Sequence, residues 1–224
     1  MIPSSKLRKI SRASRCAALF PGWSDFCERL KLHKHARRWQ SEGWSLPLPD
    51  LLKRAILKTA ARDFKARILV ETGTFRGDTV WTLRDEFQRI FSIEVQPQLA
   101  ALAASRFANM PHIEIVEGDS ASRLADVVPR LDGATMFWLD GHYSAGVTGR
   151  GVSDCPVWGE FDAIVHGMKH PFLILIDDAR CFGTTDGYPS LGEVREFTAT
   201  RFPGHALRVE NDMIWIYPAT DGTP

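Results

Sequence analysis

Ile68-Leu-Val-Glu-Thr-Gly-Thr-Phe-Arg-Gly-Asp-Thr-Val80 decides how this chain is read. An apolar run ends in a carboxylate, passes two glycines four apart, and continues at helical spacing. A parallel strand ends this way when its loop lets a ligand approach the backbone and the next helix points its N-terminal dipole at that ligand. The reading gives Gly73 the task of clearing a Cβ from the ligand's path and Gly77 that of opening the helix. Glu71, at the strand's C-terminal end, is placed to accept hydrogen bonds from an ammonium group. The next acid to end a strand, Glu94, lies 23 positions on in Phe91-Ser-Ile-Glu-Val-Gln-Pro97 and can accept both hydroxyls of a ribose. Loop and distal carboxylate together describe a nucleoside site.

Working outward, strand-like runs stand at 67–71, 90–94, 112–116, 135–139 and 172–176, with helical spacing between them. That alternation predicts a parallel sheet covered on both faces. The end differs. Ser190-Leu-Gly-Glu193 is a capping box opening a helix to about Thr200, and runs 206–210 and 213–217 flank a tight turn at Asn211-Asp212. The fold class predicted is α/β: a Rossmann-like seven-stranded, mostly parallel sheet with a C-terminal antiparallel hairpin and helices on both faces. Nicotinamide-binding doubly wound sheets normally stay parallel at that point, so the hairpin discriminates.

Two further strand ends carry polar groups. After Gly118, Asp119 is suited to an adenine amine or to capping the helix expected over 121–131, with the Ser120 hydroxyl as a second contact. Asp140 follows Met-Phe-Trp-Leu, and Asp177-Asp178 follow Phe-Leu-Ile-Leu-Ile. Three carboxylates ending adjacent strands repel unless a cation or shared proton intervenes, and hard oxygens suit Mg²⁺ or Ca²⁺. The alternative is that Asp140 contacts nucleoside or substrate and Asp178 caps a turn. His142 and Tyr143 follow Asp140 as candidate proton acceptors, His142 the better placed by its ordinary pKa. The glycine-rich stretch 144–156 is long for a strand–helix connection, as lids often are.

At these residues the chain resembles class I S-adenosylmethionine-dependent methyltransferases over roughly 50–218. Glu71-Thr-Gly73, Ser92-Ile-Glu94-Val-Gln-Pro97, Gly118-Asp-Ser120 and Leu139-Asp140 are most similar to the metal-dependent small-molecule O-methyltransferases of the catechol and macrocin type. The resemblance implies cofactor contacts from Glu71, Thr72, Gly73, Thr74, Gly77, Glu94, Val95, Asp119, Ser120 and Asp140. It implies a metal triad of Asp140, Asp177 and Asp178, and catalytic duty for Asp140, His142 and Tyr143. Two departures stand out: catechol-type enzymes carry Asp-Asn where this chain has Asp177-Asp178, and Tyr143 stands where a lysine is expected.

The remaining sequence bounds the cell biology. The first 40 residues hold ten Lys/Arg against Asp25 and Glu28, leaving 18 basic and 25 acidic residues in the remainder. The division expected is a basic helical segment, 1–48, as lid or partner-binding element, and a methyltransferase domain, 49–224. Cys16, Cys27, Cys155 and Cys181 lack ligand spacing, and no apolar run reaches the ~18 residues of a membrane span. The default is a cytoplasmic protein with free thiols, acting with magnesium on a hydroxylated small molecule, a sugar or an anionic acceptor among the options, and open to forming a homo-oligomer. The rival readings are a metal-independent N- or O-methyltransferase, a silent S-adenosylmethionine-binding partner, and a nucleic-acid-binding protein. The last ranks low because the basic arm lacks interleaved aromatic residues.

Overall fold

A computed structural model describes residues 23–43, 45–141, 155–185 and 187–219, with side chains from residue 31 onward. The chain divides into two compact units, Met1–Ala55 and Ile56–Pro224. In the first unit lies helix α1 (Trp23–Ser41), whose described side chains are mostly exposed. Helix α2 (Asp50–Phe64) opens in that unit and ends in the second.

The second unit contains seven strands: β1 (Ile68–Thr72), β2 (Arg89–Glu94), β3 (Ile113–Glu117), β4 (Thr135–Leu139), β5 (Phe172–Ile176), β6 (His205–Glu210) and β7 (Met213–Pro218). They form one sheet in the order β3-β2-β1-β4-β5-β7-β6. All neighbours are parallel through β5, and β7 runs antiparallel to both β5 and β6. The expected sheet and hairpin are therefore present. Asn211 and Asp212 take φ of 55° and 60°, the left-handed pair that a two-residue hairpin needs.

The strand sequences explain the sheet's depth. β1 and β4 are buried at every position, which only strands covered on both sides tolerate. Ile68, Val70, Phe137, Leu139, Ile174 and Ile176 face one apolar core. The alternating residues Leu69, Met136, Trp138, Leu173 and Leu175 are buried on the opposite face.

Helices α3 (Asp78–Leu83), α4 (Pro97–Phe107), α5 (Ser120–Val127), α6 (Val157–Gly167) and α7 (Leu191–Arg201) complete the layers. The capping box of α7 is complete, with both Ser190–Glu193 hydrogen bonds formed. Helix α5 ends earlier than its apolar spacing predicts. Pro129 has no N–H to continue the ladder, and residues Val128–Arg130 tighten into a 3-10 turn. Among the described residues no helix is long and apolar enough to cross a membrane.

Candidate cofactor and active site

The sheet order reverses between β1 and β4: chain flow goes outward from β1 through β2 and β3, then returns beyond it. In open α/β sheets the crevice at that reversal, at the strands' C-terminal ends, receives the ligand. Glu71, Thr72, Gly73, Asp140 and Gly141 are the residues found there.

Gly73 has a reason the sequence did not reveal. It takes φ +85°, and a Cβ built on it stands 2.4 Å from the backbone oxygen of Asp140. The missing side chain lets the ends of β1 and β4 approach each other. Clearing a path for a ligand, the expected reason, is not what this contact shows. Gly77 does open α3 as expected, as an N-cap with φ 71°.

The buried carboxylate of Glu71 accepts from the Ser92 hydroxyl, which in turn shares a 2.6 Å hydrogen bond with Thr74. The β1–β2 register puts Glu71 opposite Ser92 and so builds this relay. Glu94, equally buried, accepts Phe75 N–H at 2.7 Å with Oε2 and Gln96 N–H at 3.0 Å with Oε1. Each of its oxygens keeps a second lone pair, so two ribose hydroxyls still fit. Val95 follows it at the turn. Asp119 caps α5 by accepting from Ser122 N–H at 3.4 Å, and Ser120 beside it is buried. Residues 71–74, 94 and 119–120 thus share the crevice edge and suit a nucleoside with an amino-acid tail.

The three aspartates behave differently. Asp140 and Asp177 lie side by side, since Asp177 N–H donates to Leu139 carbonyl at 3.1 Å and Asp140 N–H to Thr72 carbonyl at 3.1 Å. Asp178 takes φ +56° and accepts from Arg180 Nη1 at 2.8 Å. The same guanidinium nitrogen pairs with Asp212 of the hairpin turn, whose other oxygen receives Arg180 N–H at 3.0 Å. Among the described residues no three acidic, histidine or cysteine side chains are grouped to hold a metal ion. A fixed guanidinium charge on Asp178 opposes a divalent cation there. Among the described residues the expected triad of Asp140, Asp177 and Asp178 is thus not grouped as a metal site.

His142 and Tyr143, with the stretch 144–154, lie outside the described residues. Three groups escaped the sequence reading. Tyr188 feels Cys155, Cys181, Asp178 and Asp140; burial first, then those neighbours, raise its pKa, which keeps the phenol protonated. Arg180 is the second, legible only as one basic residue after two acids. The third is Glu160 in the first turn of α6, fully buried. It lies in the apolar stripe Val157, Phe161, Ile164, and an acid in such a stripe was the available signal. Cys155 is buried and its thiol pushed up to about 12, mainly by burial, which removes it as a nucleophile.

Sheet order, closing hairpin and crevice define a class: the chain has the fold of class I S-adenosylmethionine-dependent methyltransferases. No family model matches the sequence, and no curated protein matches it. Solved structures do. The O-methyltransferase TomG from Streptomyces achromogenes, involved in tomaymycin synthesis and solved with S-adenosylmethionine, is 19% identical, with a TM-score of 0.53 over 83% of this chain and 87% of its own. An O-methyltransferase from Bacillus cereus, in complex with S-adenosylhomocysteine, is 15% identical, with a TM-score of 0.54 over 83% and 88%. The S-adenosylhomocysteine-bound methyltransferase PaMTH1 from Podospora anserina is 16% identical, with a TM-score of 0.51 over 97% and 98%. At such identities the shared property is the fold.

Proposed function

We propose that this protein is an enzyme that transfers a methyl group from S-adenosylmethionine to a hydroxyl of a small, sugar-like or anionic acceptor. The observation that carries the reading is the pair of buried carboxylates, Glu71 and Glu94, at the C-terminal ends of the neighbouring strands β1 and β2, each already oriented by neighbours. When bound, the cofactor supplies a methyl group made electrophilic by its sulfonium. Glu71 accepts the ammonium of the methionine part, held in place by Ser92 and Thr74. Glu94 accepts the ribose hydroxyls, and Asp119 with Ser120 borders the adenine. With both ends fixed, the chain's main contribution is to hold donor and acceptor in line.

Asp140, at the end of β4, faces the acceptor side, with Tyr188 as a donor nearby. Magnesium assistance is the expectation from resemblance. The Arg180–Asp178 pair favours the metal-independent alternative, in which the guanidinium supplies the positive charge that balances Asp178. The basic segment 1–48 covers an acceptor or binds a partner in this reading, and the setting is cytoplasmic.

Calorimetry with S-adenosylhomocysteine tests the donor half directly. The expected result is one site per chain with micromolar affinity, lost in Glu71→Ala. Wild-type protein that takes up no S-adenosylhomocysteine overturns the reading.

A further inference from the structure

Helices α5 and α6 meet at an unusually close point: a Cβ on Gly159 would stand 2.5 Å from the Cβ of Ala121. That approach brings the next residue of α6, Glu160, against the residue before Ala121, which is Ser120. Val157 and Phe161 on either side are completely buried, and Phe161 packs on Phe197 and Phe202 at centroid distances of 5.2 and 5.5 Å. The helix is therefore fixed about its axis with Glu160 turned inward.

The carboxyl so placed faces the hydroxyls of Ser120 and Thr72, the residues that open α5 and close β1. These hydroxyls favour its ionised form, yet they stand just outside hydrogen-bond geometry. Neither Glu160 oxygen nor Thr72 Oγ1 has a hydrogen-bond partner among the described residues. The charged side chain that acts on it most, Asp119, has the same sign, so Glu160 is no ion pair. The helix N-terminus gives some relief, but a buried acid without a completed bond is costly, and apolar packing alone is better served by leucine. Gly141 closes the group from above: a Cβ on it would lie 3.1 Å from Thr72 Oγ1 and 3.4 Å from Ser120 Oγ.

We propose that Glu160 is a positioning residue of the donor pocket, which acts from beneath the crevice by taking the hydroxyls of Thr72 and Ser120 and drawing the ends of β1 and α5 into register for the cofactor. The inference rests on the donor reading above. Those two hydroxyls stand next in the chain to Gly73 and Asp119, so closing both bonds aligns the methionine and adenine sides of the pocket together. The carboxyl itself is fully buried and touches no ligand.

Reach, not charge, is what this role needs. Glu160→Gln keeps the reach and an acceptor oxygen; Glu160→Asp keeps the acid and withdraws it by one methylene. Calorimetry with S-adenosylhomocysteine is expected to give Glu160→Gln within about threefold of wild type and Glu160→Asp at least about tenfold weaker, a difference of roughly 1.4 kcal/mol, with thermal melts showing that both variants are folded at the assay temperature. Wild-type-like binding by Glu160→Asp, or a loss in Glu160→Gln equal to that in Glu160→Asp, overturns the role while leaving the donor reading intact. Absence of binding by the wild type overturns the donor reading itself.

Discussion

The carboxylate of Glu94 holds the backbone N–H of Phe75, nineteen residues earlier, at 2.7 Å, while Phe75 sits at φ +48° in the glycine loop. A non-glycine residue in the left-handed region carries about 1 kcal/mol of strain or more and persists only where something holds it. Glu94 does that holding. The end of β2 thus sets the shape of the loop after β1, and the proposed ribose acceptor also supports the proposed methionine pocket. Glu94→Gln should lose more than one interaction, since its amide presents N–H to a backbone N–H on one side. The expected effect is about 2–3 kcal/mol, or roughly 30- to 150-fold weaker S-adenosylhomocysteine binding. Calorimetry measures it, and an affinity within threefold of wild type counts against the assignment.

Gly73→Ala tests the meeting of β1 with β4. The new Cβ falls 2.4 Å from Asp140 backbone oxygen at a residue held at φ +85°. Backbone cannot swing aside as a side chain does, so the ends of the two strands must part. Strain at the dihedral alone costs about 1–2 kcal/mol, and the clash adds to it. Urea unfolding should show a loss of at least about 3 kcal/mol, with cofactor binding falling in parallel. A variant of wild-type stability would mean that the strands separate freely there.

The contrast between these two sites shows what a sequence can display. Strand runs, capping box and hairpin were legible because each is local: period, cap and turn residues lie within a few positions of one another. Glu71, Glu94, Asp119 and Asp140 were legible because a strand's C-terminal end is a place in the fold as well as in the sequence. Arg180 was not, since its meaning depends on Asp212, 32 residues on, arriving from the hairpin. Gly73 was noticed for its type, but the backbone that crowds it belongs to a strand 67 residues later. Glu160 drew no reading from the sequence, although its i+4 neighbour Ile164 marks the buried face of the same helix.

The Arg180 pairing makes a claim about metal dependence. Its guanidinium joins Asp178, after β5, to the buried Asp212 of the hairpin, and Ala179 N–H adds a 2.9 Å bond to the Asp212 carbonyl. With Asp178 so engaged, turnover should survive millimolar EDTA, measured as S-adenosylhomocysteine produced from an accepted substrate. Loss of activity on chelation, restored by magnesium, would return the three aspartates to the metal role. Arg180→Ala should cost about 2 kcal/mol of stability, less than a fully buried pair because the guanidinium is one-third exposed.

Glu160 also predicts how stability responds to pH. Burial first, and Asp119 after it, push its pKa from 4.5 up to about 7 against the opposing pull of the Ser120 and Thr72 hydroxyls. Between those values the folded protein keeps a proton that the unfolded chain has released. The stability linked to that proton is complete below pH 4.5, declines as pH rises, and is gone once pH passes about 7. The full span is on the order of 3 kcal/mol. Glu160→Gln cannot titrate, so its unfolding free energy should lack this component. Subtracting wild type from variant in urea melts at pH 5, 6, 7 and 8 should give a difference that grows with pH in favour of the variant and levels off above 7. A flat difference would mean that the carboxyl is ionised throughout, held by stronger donors than two hydroxyls.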